Sequence, residues 1–289
     1  MIIDRLYEEV EKKGIVCVGL DTHLDYIPKK LKDEYQDVDR IMFEFNKRII
    51  DNTLDIVPIY KLQIAYYEAY GIKGLMAYKR TLEYIKSAGS LSIGDIKRGD
   101  ISSTAEMYGK AHFEGDFEAD FITLNPYMGF DTITPYLKYL ERRDKGIFVL
   151  LRTSNPGAKD IQYLKAGPQS NYIYYHIGDR LKELGQNYIG SCGYSLIGAV
   201  VGGTHIDEGE EIRNKYKNMF FLIPGYGRQG GKGKDVVIYL NKRNGGIVNS
   251  SRGIITSYKK YEDGDKNFEK YARLAVLDMR EDILNGERI

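Results

Sequence analysis

The sequence predicts an α/β protein, a closed (β/α)8 TIM barrel formed as a single domain over residues 1–289 with an N-terminal helix. Three observations predict it. Eight short apolar runs alternate with longer segments of helical periodicity, the pattern of βαβ units and a parallel sheet. A polar or glycine-rich feature follows nearly every run, as it does where barrel strands deliver an active site at their C-terminal ends. No Pro- or Gly-rich linker divides the chain. A doubly wound open sheet is the alternative with the same element order.

The elements follow in order. Met1 to Lys13 predicts an amphipathic helix with Ile3, Leu6, Tyr7 and Val10 on one face, without the apolar core of a signal peptide. The strands expected are Ile15 to Leu20, Val57 to Leu62, Leu91 to Ile96, Phe121 to Leu124, Ile147 to Leu151, Leu196 to Val201, Met219 to Ile223 and Ile247 to Ser250. Between them, Tyr67 to Ala88 carries Ile72, Leu75, Met76, Leu82 and Ile85 as one helical stripe. Ser102 to Phe113 also reads as helix. Ala158 to Gly185 exceeds an ordinary barrel loop: its front, Lys159 to Asn171, reads as loop and its back, Tyr172 to Leu184, as the fifth helix. Phe268 to Leu284 closes the chain as a helix through Phe268, Tyr271, Ala275 and Met279.

Composition narrows the function. The formal net charge is +1, with 43% hydrophobic and 29% charged residues, which leaves no electrostatic footprint for nucleic acid. No apolar stretch approaches a membrane span. Cys17 and Cys192 sit in apolar surroundings, which predicts free thiols and a cytoplasmic protein. His23, His112, His176 and His205 show no metal-ligand spacing.

The strand ends carry the chemistry. Strand one ends in Asp21, strand two in Lys61 and Gln63, strand four in Thr123 and Asn125. Strand five runs into Arg152-Thr153-Ser154, strand seven into Pro224-Gly225-Tyr226-Gly227-Arg228-Gln229-Gly230-Gly231, and strand eight into Ser250, Ser251 and Arg252. The glycine-rich loop contains G-x-G-x-x-G, but no acidic residue follows about 20 positions on, as a dinucleotide site requires. It reads instead as backbone amides meeting a phosphate, with Arg252 as counter-charge. Strand three ends in Asp95-Ile96-Lys97-Arg98-Gly99-Asp100, the pattern D-x-K-x-x-D. Alternate strand residues share a face, so Asp95 and Lys97 project together. Clustered charges of this kind mark catalytic sites more often than structural ones.

Together these motifs resemble orotidine 5'-phosphate decarboxylase, in its longer bacterial branch. The resemblance covers nearly the whole chain. It rests on V-G-L-D at Val18 to Asp21, Y-K-L-Q at Tyr60 to Gln63 and G-D-I-K-R-G-D-I-S-S-T at Gly94 to Thr104. It continues through T-L-N-P-Y-M-G from Thr123, L-L-R-T-S-N-P-G from Leu150 and P-G-Y-G-R-Q-G-G from Pro224. The resemblance implies conversion of orotidine 5'-monophosphate to uridine 5'-monophosphate and carbon dioxide in pyrimidine biosynthesis, with no metal and no organic cofactor. Lys97 would donate the proton, within an array of Lys61, Asp95, Lys97 and Asp100. Asp100, with Ile101 and Thr104, would come from the partner subunit of a homodimer. Asp21 and Thr104 would hold ribose hydroxyls, and Ser154 would read the pyrimidine edge. Gln229 and Arg252 would grip the phosphate, Arg228 being a second candidate; Asn125 and Pro224 would complete the pocket. A phosphosugar barrel such as a hexulose phosphate synthase shares D-x-K-x-x-D but uses Mg²⁺. The Ser154 motif and the glutamine loop argue against it. A non-catalytic nucleotide sensor would have lost the charge array, which is intact here.

Overall fold

Side chains rich in Val, Ile, Leu and Phe fill a pleated surface that is covered on both faces, and each of the eight apolar runs forms such a strand. They are β1 (Val16–Gly19), β2 (Ile59–Gln63), β3 (Leu91–Arg98), β4 (Phe121–Leu124), β5 (Gly146–Arg152), β6 (Ile197–Val201), β7 (Phe221–Pro224) and β8 (Gly246–Ser250). The computed structural model describes residues 1–203, 206–227 and 231–286. Among the described residues these strands pair in parallel in the order β1-β8-β7-β6-β5-β4-β3-β2 and close into a barrel. The ring closes at Val18, which pairs with Tyr60 on one side and Ser250 on the other. The predicted closed barrel is therefore observed, and the open sheet is not.

Two registers slip at the C-terminal ends of strands. Gly94 faces Ile122 and Arg98 faces Leu124, so β3 carries extra residues between them. Leu150 faces Val200 and Arg152 faces Val201, so β5 does the same against β6. Bulges re-aim side chains, and both lie at the end of the barrel where sites are built.

The longer helices are α1 (Ile2–Lys13), α2 (Val38–Thr53), α3 (Gly71–Ser87), α4 (Ser102–Phe113), α5 (Thr134–Leu140), α6 (Ile173–Gly185), α7 (Ile206–Lys215) and α8 (Phe268–Gly286). Helix α1 lies outside the alternating pattern and covers the opposite end of the barrel. Ile3, Leu6 and Val10 are buried beneath it, and Tyr7 stacks on Tyr194. Its polar groups bind the turns leading into four strands. Arg5 donates to Gly89 O before β3, and the Ile2 amide donates to Arg143 O before β5. Asp4 accepts from the Cys192 amide before β6, and Asn244 before β8 donates to Tyr7 O. Arg213 of α7 works similarly from the side. Its buried guanidinium donates to the carbonyls of Tyr216, Met219, Tyr239 and Gly245, so one side chain ties the loops around β7 and β8.

Three expectations need correction. The buried stripe of α3 is Gly74, Ala77, Tyr78, Thr81, Leu82 and Ile85. Ile72 and Met76 are exposed, because a helix turns 100° per residue and they fall on the neighbouring face. In α8 the buried stripe runs through Ala272 and Val276, with Ala275 only partly covered. Residues Lys159 to Asn171 are not plain loop. Ala158–Ile161 forms a helical turn, and Lys165–Ala166 pairs antiparallel with Asn171–Tyr172; Gly167 supplies the positive φ that reverses the chain between them. Cys17 is buried among apolar side chains as expected, while Cys192 is only half-buried at the Asp4 contact; both are free thiols.

Since Leu6 is fully buried under the barrel floor, Leu6→Ala should destabilise the fold by about 2–5 kcal/mol. Denaturant titration measures this. Turnover of the folded variant should match the parent, because α1 lies at the far end of the barrel from the strand C-termini.

Candidate active site

The site grows from the ends of β1 to β4. Asp95, on β3, is buried at 6% exposure, and so is Lys61, on β2, at 4%. Lys61 Nζ donates to Asp95 Oδ2 at 3.0 Å and to Asp21 Oδ1 at 3.1 Å. Lys97 Nζ donates to Asp95 Oδ1 at 2.6 Å. Gln63 Nε2 adds a bond to Oδ2 at 3.2 Å, and Thr123 Oγ1 one to Oδ1 at 2.9 Å. The result is a chain of alternating charge, Asp21–Lys61–Asp95–Lys97.

Burial taken alone would raise the Asp95 pKa. The ammonium groups of Lys61 and Lys97 and their hydrogen bonds overcome it and hold the carboxyl well below the carboxylate range. Burial would lower Lys61, but Asp21 and Asp95 hold it above its ordinary value. The two shifts stabilise the fold in opposite senses of pH. The depressed Asp95 contributes above 3.8, and its contribution is lost as pH falls through the lower folded value. The raised Lys61 contributes fully below 10.5, and that is lost only as pH rises through the higher folded value. Both charges persist throughout the interval.

Asp95 and Lys97 do meet, but not by simple alternation. Lys97 has φ +46, and its amide donates to Thr123 Oγ1 at 2.9 Å. The bulge of β3 thus turns Lys97 out of the strand and folds its side chain back onto Asp95. Asp21 is fixed by the Ser251 hydroxyl, which accepts its amide hydrogen at 3.3 Å. Behind β1 and β2, Thr22, Asn46, Tyr67 and Thr81 form a buried hydrogen-bonded cluster.

These groups open onto a cavity of about 980 Å³. Lys61, Asp95, Lys97, Asn125, Ser154 and Pro224 all line it, so the structure brings six of the expected residues to one space. Asn125 is anchored by its amide to Arg98 O at 2.7 Å. The chain crosses it at Gly99, where a Cβ would lie 2.5 Å from Asn125 O. Ser154 rests against Gly202, whose Cβ would come within 2.8 Å of the Ser154 amide nitrogen.

Asp21 joins through Lys61 without lining that wall, and four further expected residues stand apart from it. Asp100 accepts the Ile101 amide hydrogen and makes no ion pair with Lys97 among the described residues. Ile101 and Thr104, at the start of α4, are exposed. Arg252 opens the short helix Arg252–Ile255 after β8. Thr204, His205, Arg228 and Gln229 lie outside the described residues.

Several contributors were not singled out from sequence. Asn249 of β8 lines the cavity, and its Oδ1 is buried without a partner among the described residues; an amide inside an apolar strand is the signal that marks it. The segment Ala158 to Asn171 supplies Ile161, Gln162 and Leu164 to the wall. Gln162 accepts the Thr153 amide hydrogen at 2.9 Å and donates to its hydroxyl at 2.7 Å, which braces the backbone beside Ser154. Arg152, buried, pairs with Glu208 at 2.9 Å, and Tyr163 bonds both. Nothing in local spacing announces these long-range contacts. Among the described residues no three His, Cys, Asp or Glu side chains are grouped as metal ligands.

Residues 14–266 match the family described as Orotidine 5'-phosphate decarboxylase / HUMPS family. The orotidine 5'-phosphate decarboxylase of Petrotoga mobilis is 74% identical over 283 residues, covering 98% of each chain. That of Clostridium acetobutylicum is 61% identical over 98% of this chain and 99% of its own. Among solved structures, the Leishmania donovani OMP decarboxylase superposes with a TM-score of 0.78 at 28% identity, covering 100% of this chain and 99% of that one. A barrel with this charge chain, matched along nearly its whole length, places the protein in the orotidine 5'-phosphate decarboxylase family.

Proposed function

We propose that this protein is the orotidine 5'-monophosphate decarboxylase of pyrimidine biosynthesis, working as one barrel domain without metal or organic cofactor. The observation that carries the reading is the Asp21–Lys61–Asp95–Lys97 charge chain, with Lys61 and Asp95 buried at its centre and Lys61, Asp95 and Lys97 lining the cavity. Relatives as similar as 74% are named for this reaction.

The chemistry follows from the charges. Loss of carbon dioxide leaves an electron pair on a pyrimidine ring carbon. An ammonium fixed beside that carbon stabilises the developing charge without reorganisation and then delivers the proton. Lys97 holds that post. Both Asp95 oxygens already accept ammonium hydrogens, so its charge is met by two cations of the chain itself. Asp21 and Thr104 hold ribose hydroxyls, Asn125 and Ser154 face the pyrimidine, Pro224 shapes the wall, and Arg252 with Gln229 takes the phosphate. The two free thiols fit a reducing cytoplasm.

The active unit we propose is a twofold dimer with shared sites. Asp100 accepts the Ile101 amide hydrogen and forms no ion pair with its own Lys97 among the described residues, and Ile101 and Thr104 are exposed beside it. Large apolar side chains are also exposed on the segments after β2, β3 and β4, namely Ile72, Met76, Ile101, Met107, Tyr127 and Met128. Exposed apolar side chains on neighbouring segments suit an interface, and a twofold axis lets each chain lend the other what it borrows.

Three measurements test this. Orotidine 5'-monophosphate should be consumed, followed by its ultraviolet absorbance, at the same rate with and without EDTA; no turnover, or dependence on added Mg²⁺, rejects the assignment. Lys97→Ala should lower kcat by roughly a thousandfold or more while uridine 5'-monophosphate still binds. Retention of more than a few per cent of kcat means that Lys97 does not donate the proton. Finally, Lys97→Ala and Asp100→Asn proteins, each inactive, should regain about a quarter of parental activity when mixed one to one. Half of the dimers then become mixed, each with one intact site. Continued inactivity after mass spectrometry has verified exchange excludes shared sites.

A further inference from the structure

Lys97 is the one residue of the charge chain with a left-handed backbone, at φ +46. A lysine gains nothing from that conformation and pays steric strain for it. Such strain persists only where neighbours hold it in place. Leaving the strand also deprives the Lys97 amide of a ladder carbonyl, and an unpaired, partly buried N–H is costly.

One side chain answers both needs. Thr123 of β4 stands opposite the bulge, between the Ile122 and Leu124 pairings. Its Oγ1 accepts the Lys97 amide hydrogen at 2.9 Å and gives its own proton to Asp95 Oδ1 at 2.9 Å. That same oxygen accepts Lys97 Nζ at 2.6 Å. The bonds form a closed circuit: Lys97 main chain to Thr123, Thr123 to Asp95, and Asp95 back to the Lys97 ammonium. Thr123 is itself buried, at 1% exposure, so water does not compete for either bond.

We propose that Thr123 is a positioning residue that holds Lys97 in its strained conformation and thereby sets where the ammonium lies. This rests on Lys97 acting as proposed above. The hydroxyl is required because it accepts and donates at once. A methyl in its place leaves the Lys97 amide unpaired and Asp95 one donor short. The strand can then relax and carry the ammonium away from the reacting carbon. A displacement of about 1 Å at such a group costs on the order of a hundredfold in rate.

The test compares Thr123→Val, Thr123→Ser and the parent enzyme. Parental turnover of orotidine 5'-monophosphate is measured first; its absence removes the decarboxylase reading itself. Given an active parent, Thr123→Val should lose roughly ten- to a hundredfold in kcat, while its Kd for uridine 5'-monophosphate stays within about threefold. Thr123→Ser, which keeps the hydroxyl, should return to within a few-fold of the parent. The inference fails if Thr123→Val keeps parental kcat, if the serine variant is as slow as the valine one, or if product binding weakens as much as kcat. Should the valine variant not fold, Thr123→Cys replaces it, with a weak donor of serine's shape and the same three failing outcomes.

Discussion

The site depends on a single buried carboxylate. Asp95 lies where an ion is costly, yet it receives four donors, two of them ammonium groups. Lys61 is not neutralised in exchange, because Asp21 supplies its second counter-charge. Buried ion pairs add little net stability, but stripping one partner from such a pair costs about 3–5 kcal/mol. The array is therefore maintained for what it does to position and charge. The Asp95 and Lys61 charges are insensitive to pH between the ordinary carboxylate and ammonium ranges, since pairing outweighs burial and shifts Asp95 downward and Lys61 upward.

The barrel divides support from function along its axis. At the floor, α1 seals the strand starts with apolar contacts and hydrogen bonds to four turns. At the top, β3 and β5 break register, and the first of these breaks brings Lys97 onto Asp95. A strained lysine and a buried ion network are tolerable at that end because the large core between the strands and the surrounding helices lies elsewhere.

Much of this was legible in the sequence. The eight strands could be read because each is a short apolar run ended by a polar or glycine-rich feature, and the site could be read because those features fall at one end of a parallel barrel. Helical phase was harder. Ile72 and Met76 satisfied the apolar spacing of α3, yet they face outward, since periodicity fixes a stripe without saying which stripe meets the barrel. Lys97 and Asp95 were expected together from strand alternation; a bulge brings them together instead. Gln162 and Asn249 escaped notice, and Thr123 was read only as a polar strand end, for a common reason. Their importance lies in partners that are distant in sequence, or in a cavity that exists only once the barrel has closed.

The two halves of the barrel mouth carry different burdens. Strands β1 to β4 hold the charges on short, heavily bonded ends, with Asp21 tied to Ser251 and Lys97 tied to Thr123. Strands β5 to β8 lead into the longer loops that carry Ser154, Pro224 and Arg252, and the segment Ala158 to Asn171 braces the first of these through Gln162. In the proposed reaction, a rigid cluster at one side and substrate-binding residues at the other suit a charge that develops at a single atom. Under the proposed mechanism, contacts to the remote parts of the nucleotide can then be expressed at the reacting carbon, because the Lys97 ammonium is already held in place on both its main chain and its side chain.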